Sequence, residues 1–213
     1  MSDAAPARLY LVTPERFDPQ DFATRLAAVL SKVPVACLRL SLGASADEDD
    51  WRQAANHLLP VCHDADIALV IADHYRLVRP LGLDGVHLEH GAAPVRSVRK
   101  DLGSNAIVGA AGGTTRHKAM ALAEAGADYV TLGPVAEEGA LGAGELAPAD
   151  LFAWWAEMIE TPAVAEGGVG LDQVKLLSET ADFFVPDRRI WDDPDETLEV
   201  LGAMAAILAE ADG

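Results

Sequence analysis

Short apolar, β-branched-rich runs recur along the chain, each followed by a stretch whose apolar residues return every three or four positions. The runs predict strands at Leu9–Thr13, Val35–Leu40, Ala68–Ala72, Gly85–Leu88, Ile107–Ala111, Tyr129–Gly133, Ala163–Gly167 and Phe183–Pro186. The periodic stretches predict helices near Pro19–Ser31, Asp47–Ala65, His74–Leu81, Pro94–Asp101, Thr115–Ala125, Pro148–Ile159, Leu171–Ser178 and Pro194–Ala211. Eight strand–helix pairs are the count of a (β/α)8 TIM barrel with eight parallel strands. An open doubly wound sheet shares the alternation but would have to accommodate all eight strands side by side. Local chemistry supports the boundaries: Gly126 tolerates the left-handed end of a helix, and Pro19, Pro94 and Pro148 suit first turns. No Pro-, Ser- or Gly-rich linker divides the chain, which predicts one domain over 1–213 with a short tail at 1–8.

Barrels of this kind carry their sites at the C-terminal ends of the strands, so the strand-end residues are the candidates. In the second strand Cys37, Arg39 and Ser41 alternate with Leu38 and Leu40, which turns Arg39 into the barrel. A buried guanidinium needs an anion. Either it forms a structural pair with an interior acid such as Asp73 or Glu166, or it binds a ligand's anion at the mouth. Asp73, His74, His87, Glu89 and His90 fall on neighbouring strand ends and offer transition-metal donors, although without helical i, i+4 spacing. Glu166-Gly167-Gly168-Val169-Gly170 is predicted as the loop after the seventh strand, where backbone amides can approach a phosphate. Arg188 and Arg189 follow the eighth strand and suit the same anion, while Asp187 opposes it. The alternative is a tight turn with arginines screening an acidic surface. Thr114 or Thr115 is expected to cap a helix, and the acidic stretch Pro134–Glu145 to form a lid. Trp51, Trp154, Trp155 and Trp191 sit in or beside helices and suit packing or a subunit contact.

Charge narrows the partners. Sixteen Lys and Arg against 34 Asp and Glu give a net charge of −18, which disfavours nucleic acid and anionic membranes. Hydrophobic residues are 50% of the chain, enough for a sizeable core, and no apolar run is long enough to cross a bilayer. The opening MSDAAPARLY has no secretory pattern, and Cys37 and Cys62 lack metal-type spacing and read as reduced thiols. The expectation is a cytoplasmic protein.

Leu9-Tyr10-Leu11-Val12-Thr13, Asp84-Gly85-Val86-His87-Leu88, Ala125-Gly126-Ala127-Asp128-Tyr129-Val130, Leu132-Gly133-Pro134 and Gly167-Gly168-Val169 occur in that order. From Leu9 to about Phe184 the chain resembles the thiamin phosphate synthase family, which includes the TenI-like thiazole tautomerases. The resemblance implies a (β/α)8 barrel that joins a pyrimidine diphosphate to a thiazole phosphate and releases pyrophosphate with Mg2+. It makes Arg39 and Asp73 the catalytic candidates, with Asp73 also the Mg2+ ligand. Gly133, Gly167, Gly168 and Arg188 become the substrate- and phosphate-binding set. Other family positions differ here. The Gln and Lys flanking the second-strand Arg are Cys37 and Ser41, and the Asn before Asp73 is Ala72. The second metal carboxylate is Ala92, and the Ser after the fifth strand is Ala111. The tautomerase histidine gives way to Gly112-Gly113, and the Thr-x-Thr-Lys segment to a loop with Glu137 and Glu138. The Ser after the eighth strand is Pro186 or Asp187. Fewer cationic and oxygen donors predict slow thiamin phosphate synthesis. The functions to separate are a working enzyme of thiamin metabolism, a barrel that binds a phosphorylated heterocycle as sensor or carrier, and a partner subunit. Homo-oligomer formation stays open.

Overall fold

The structure, a computed structural model, describes residues 8–89, 92–137 and 144–211. Its first half runs β1 (Arg8–Val12), α1 (Pro19–Leu30), β2 (Val35–Leu40), α2 (Glu48–Asp64), β3 (Ala68–Ala72), α3 (Val78–Leu81), β4 (Gly85–Leu88) and α4 (Ala92–Leu102). The second half runs β5 (Ile107–Gly113), α5 (Arg116–Glu124), β6 (Tyr129–Leu132), α6 (Ala149–Met158), β7 (Ala163–Val169), α7 (Leu171–Leu177), β8 (Phe183–Pro186) and α8 (Pro194–Ala211). The strands pair in parallel in sequence order, and β8 returns to β1, which closes a (β/α)8 barrel.

Strand alternation sorts the core into two layers. Leu9 and Leu11 of β1, Leu38 and Leu40 of β2, and Val130 and Leu132 of β6 face outward into the shell between barrel and helices. Tyr10, Val12, Val70, Tyr129, Val164 and Val185 face inward and fill the lumen. Gly109 makes that filling possible, because a Cβ there would overlap the Tyr129 ring.

Helix starts follow cap chemistry. Asp18 accepts the Gln20 and Asp21 amides, Asp47 and Asp50 form a reciprocal box at α2, and Thr115 accepts the Lys118 amide. Gly126, at φ 98°, follows α5 in the left-handed region. Pro148 is the cap residue before α6 rather than its first turn, and Pro94 is the third residue of α4.

Three sequence expectations change. The helix expected over His74–Leu81 is a 3-10 turn at Tyr75–Leu77 followed by the single turn of α3. Gly167 and Gly168 lie inside β7, not in a loop, in a segment where the register with β8 shifts between Ala165 and Val169. Arg8, expected in the tail, begins β1, while residues 1–7 lie outside the described residues. Among the described residues no helix is long and apolar enough to cross a membrane.

Candidate active site

The lumen carries charge. Arg39 projects inward from β2 with its side chain 1% exposed and meets Glu166 of β7 in a two-pronged ion pair. One prong is 3.3 Å, from Arg39 Nη1 to Glu166 Oε2. β1 and β8 separate β2 from β7 in the barrel, so the pair reaches across the lumen. The Thr131 hydroxyl of β6 donates to the same carboxylate. Burial works against the Arg39 charge, but Glu166 more than offsets it, and the guanidinium stays protonated. Burial likewise pushes Glu166 up, but Arg39 outweighs it and holds the carboxyl below its usual range. Of the two fates that the sequence left open for Arg39, the structure contains the pair with Glu166.

Beneath this pair lies a polar chain. Tyr10 and Tyr129 share a hydrogen bond of 2.6 Å, and the Tyr129 hydroxyl lies 3.1 Å from His87 Nδ1. His87 is fully buried on β4, and burial, with help from the Arg39 charge, lowers its pKa to about 3. Its imidazole is therefore neutral at physiological pH. His87 Nε2 has no hydrogen-bond partner, and its nearest carboxylate oxygen, Glu89 Oε1, is 3.9 Å away.

Asp73 ends β3 in the left-handed region, at φ 52°. Its Oδ1 accepts the Glu89 amide at 3.0 Å, and its own amide donates to the His87 carbonyl at 2.9 Å. Asp73 thereby ties the β3 and β4 ends together. The metal cluster weighed for Asp73, His74, His87, Glu89 and His90 does not form among the described residues: His74 stacks on Trp51, His87 is inside the barrel, and His90 lies outside those residues. Mg2+ normally takes one or two carboxylates together with substrate phosphates and water. Asp73 offers one carboxylate, with one oxygen already committed to an amide, and no group of three or more His, Cys, Asp or Glu residues gathers among the described residues. Asp73 therefore offers Mg2+ a single carboxylate with one uncommitted oxygen, so an ion here would take its remaining ligands from substrate phosphates and water.

At the β7–β8 side, Gly167 and Gly168 have φ of 85° and 75°, a conformation that favours glycine. The Gly167 carbonyl accepts the Val135 and Ala136 amides, which fastens the β6 exit to β7. Gly133 lets the strands approach so closely, since a Cβ there would overlap the Glu166 carbonyl. Arg188 donates to Glu15 at 3.0 Å and approaches Ser41 Oγ at 3.5 Å, spanning the ends of β8, β1 and β2. Burial, opposed by Glu15, lowers its pKa, and its Nε is buried without a partner. Arg189 bonds Asp187 through its Nε at 2.9 Å. The expected lid falls partly on residues 138–143, outside the described residues, as does Glu138.

A cavity of about 140 Å³ opens at the mouth between β4 and β7. Glu89, Ala111, Lys118, Thr131, Pro134 and Glu166 are on its wall. Lys118, Thr131 and the two buried tyrosines were not singled out from the sequence. For Thr131 and Tyr129 the strand alternation that placed Arg39 would have sufficed; Lys118 carries no comparable signal. Both cysteines are free, Cys62 with its thiol pushed up to about 12 by burial and then by Asp84, and Cys37 raised further still by burial.

A family model described as thiamine monophosphate synthase matches residues 9–184. A thiamine-phosphate synthase of Rhodospirillum centenum is 39% identical over 188 residues, covering 88% of this chain and 90% of the relative. One from Hyphomonas neptunium is 33% identical over 209 residues, 94% and 93% of the two chains. Among solved structures, thiamine phosphate pyrophosphorylase from Pyrococcus furiosus superposes with a TM-score of 0.80 at 21% identity, over 97% of each chain, a likeness of fold.

Proposed function

The chain belongs to the thiamine monophosphate synthase family, and from that membership we propose that it serves thiamin biosynthesis by binding a phosphorylated thiazole or pyrimidine at the barrel mouth. The observation that carries this reading is the β7–β8 corner. Two glycines in left-handed conformation lie in the strand next to β8, whose end carries Arg188 with an unpartnered buried Nε. Backbone amides beside a guanidinium suit a phosphate monoester, and this corner is where the fold commonly holds one. Gly133 shapes the neighbouring wall.

Joining the two family substrates is the demanding step, because charge on the departing diphosphate must be neutralised as its bond breaks. Here Arg39 is engaged by Glu166, and Asp73 by the Glu89 amide. We therefore assign this chain ligand binding at the mouth with weak synthase turnover, Arg39 and Asp73 being the residues on which any turnover depends. Isothermal calorimetry with thiazole phosphate tests the binding. A Gly168→Val variant that stays folded should lose it. Absence of binding of any phosphate monoester to the unmodified chain overturns the reading.

A further inference from the structure

The exits of β1 and β2 stay zipped beyond the strands. The Thr13 amide donates to the Arg39 carbonyl, the Ser41 amide to the Thr13 hydroxyl and the Gly43 amide to the Glu15 carbonyl, each at 3.0 Å. Steps of two keep Thr13 and Glu15 on one edge, opposite Arg39, Ser41 and Gly43. The backbone of Glu15 is therefore fixed at the rim of the mouth, while its side chain is 64% exposed.

Arg188 is placed as firmly. It opens the 3-10 turn Arg188–Trp191, and the Trp191 indole donates to the Val12 carbonyl at 2.8 Å, which ties that turn to β1. Its guanidinium, 13% exposed, donates from Nη1 to Glu15 at 3.0 Å and leaves Nε without a partner. The cation is thus answered by a carboxylate of this same chain. A phosphate monoester arriving here must displace that carboxylate or lie beside it as a second anion. An alcohol carries no charge and meets neither cost. Glu15 also borders a cavity of about 270 Å³ between the β1 and β2 exits, with Arg16 on the same wall. A displaced carboxylate therefore has space and a second cation to turn to.

We propose that Glu15 is a specificity-determining residue: it occupies Arg188 as an internal anion and so narrows the corner's preference for a phosphate monoester over the corresponding alcohol. The inference rests on the reading that the β7–β8 corner takes a phosphate, and it adds to that reading what the phosphate must compete with. Because the Glu15 side chain is exposed and its backbone is held independently, the competitor yields to a ligand without disturbing the barrel.

The test uses the full chain, calorimetry, and two probes that share one ring, thiazole phosphate and its dephosphorylated alcohol. In Glu15→Gln the amide oxygen still accepts from Arg188, so the hydrogen bond stays and only the charge goes. The variant should bind the phosphate about tenfold or more tightly than the unmodified chain, as expected for removing one like charge beside a bound anion. Its affinity for the alcohol should not change. Glu124→Gln removes one charge from an exposed residue in the last turn of α5, at the opposite end of the barrel, and should alter neither affinity. Equal phosphate affinity in the unmodified chain and Glu15→Gln overturns the inference and leaves the phosphate site standing. A gain shared by the alcohol or by Glu124→Gln overturns it too. Phosphate binding by Glu15→Gln alone supports the inference and refutes the phosphate reading for the unmodified chain; binding by neither overturns both.

Discussion

Removing either member of the Arg39–Glu166 pair is the most direct perturbation of this barrel. Arg39 is 1% exposed and Glu166 15%, so deleting Glu166 strands a guanidinium out of reach of bulk water, and deleting Arg39 leaves a carboxylate that only the mouth cavity can hydrate. The partner left behind is an ion in a lumen otherwise filled by Tyr10, Val12, Val70 and Val164. Breaking a buried pair from one side costs about 3–5 kcal/mol. For a chain of this length, about 2–4 °C per kcal/mol converts that loss into a Tm lowered by about 6–20 °C. Glu166→Leu and Arg39→Leu should each show it in urea and thermal unfolding. The double variant should recover to within about 1–2 kcal/mol of the parent, because replacing both charges by apolar groups removes the desolvation cost together with the attraction. The pH dependence has a definite sign. The Glu166 carboxyl is held below its unfolded value, so its contribution is complete above the ordinary carboxylate range and is lost as pH falls through the depressed folded value. The double variant should lack that acid loss. A single variant within about 1 kcal/mol of the parent would mean that water reaches the pair, and the lumen would then not be the dry interior on which this cost depends.

Three further outcomes follow from the same geometry. His87 is buried neutral with its pKa lowered to about 3, so the unfolded chain binds that proton first; stability should fall as pH drops from about 6.5 toward 3, by up to about 5 kcal/mol. His87→Gln should flatten this slope in acid titrations followed by circular dichroism, and an unchanged slope would refute the assignment. Gly109→Ala places a methyl in the Tyr129 ring and should cost about 3 kcal/mol or more, read by urea unfolding, whereas a neutral substitution would show that the ring can move aside. Turnover of pyrimidine diphosphate with thiazole phosphate at saturating Mg2+ should fall several orders of magnitude below that of a relative carrying the full donor set, each missing donor being worth about a hundredfold. Robust turnover that disappears in a folded Asp73→Asn variant would show that the replaced residues are compensated.

The fold was readable because its signal is local and repeated. Each strand announces itself by a β-branched run, each helix by its period, and eight repetitions leave few architectures. The failures are local as well. His74–Leu81 contains Pro80, which has no amide to donate to the Arg76 carbonyl four residues back, and a 3-10 turn takes its first half. At Gly167-Gly168 glycine suggested a loop, but the same conformational freedom allows an irregular strand, and pairing with β8 resumes at Val169.

The site was less legible because its central contacts join elements that sequence distance does not relate. Alternation on β2 correctly turned Arg39 inward, but alternation names a face and not a partner. Asp73 and Glu166 were equally available acids by that criterion. What separates them is backbone geometry: Asp73 sits at φ 52°, which commits its Oδ1 to the neighbouring Glu89 amide, while Glu166 extends from β7 across the lumen to Arg39. Glycine completes the selection from the far side, because Gly133 brings β6 close enough to β7 for Thr131 to donate to the same carboxylate. An acid in the middle of an apolar strand is costly unless several neighbours are shaped around it. In this barrel a guanidinium, a hydroxyl and a glycine are so shaped, and that convergence argues that Glu166 is a feature of this mouth to be tested in its own right.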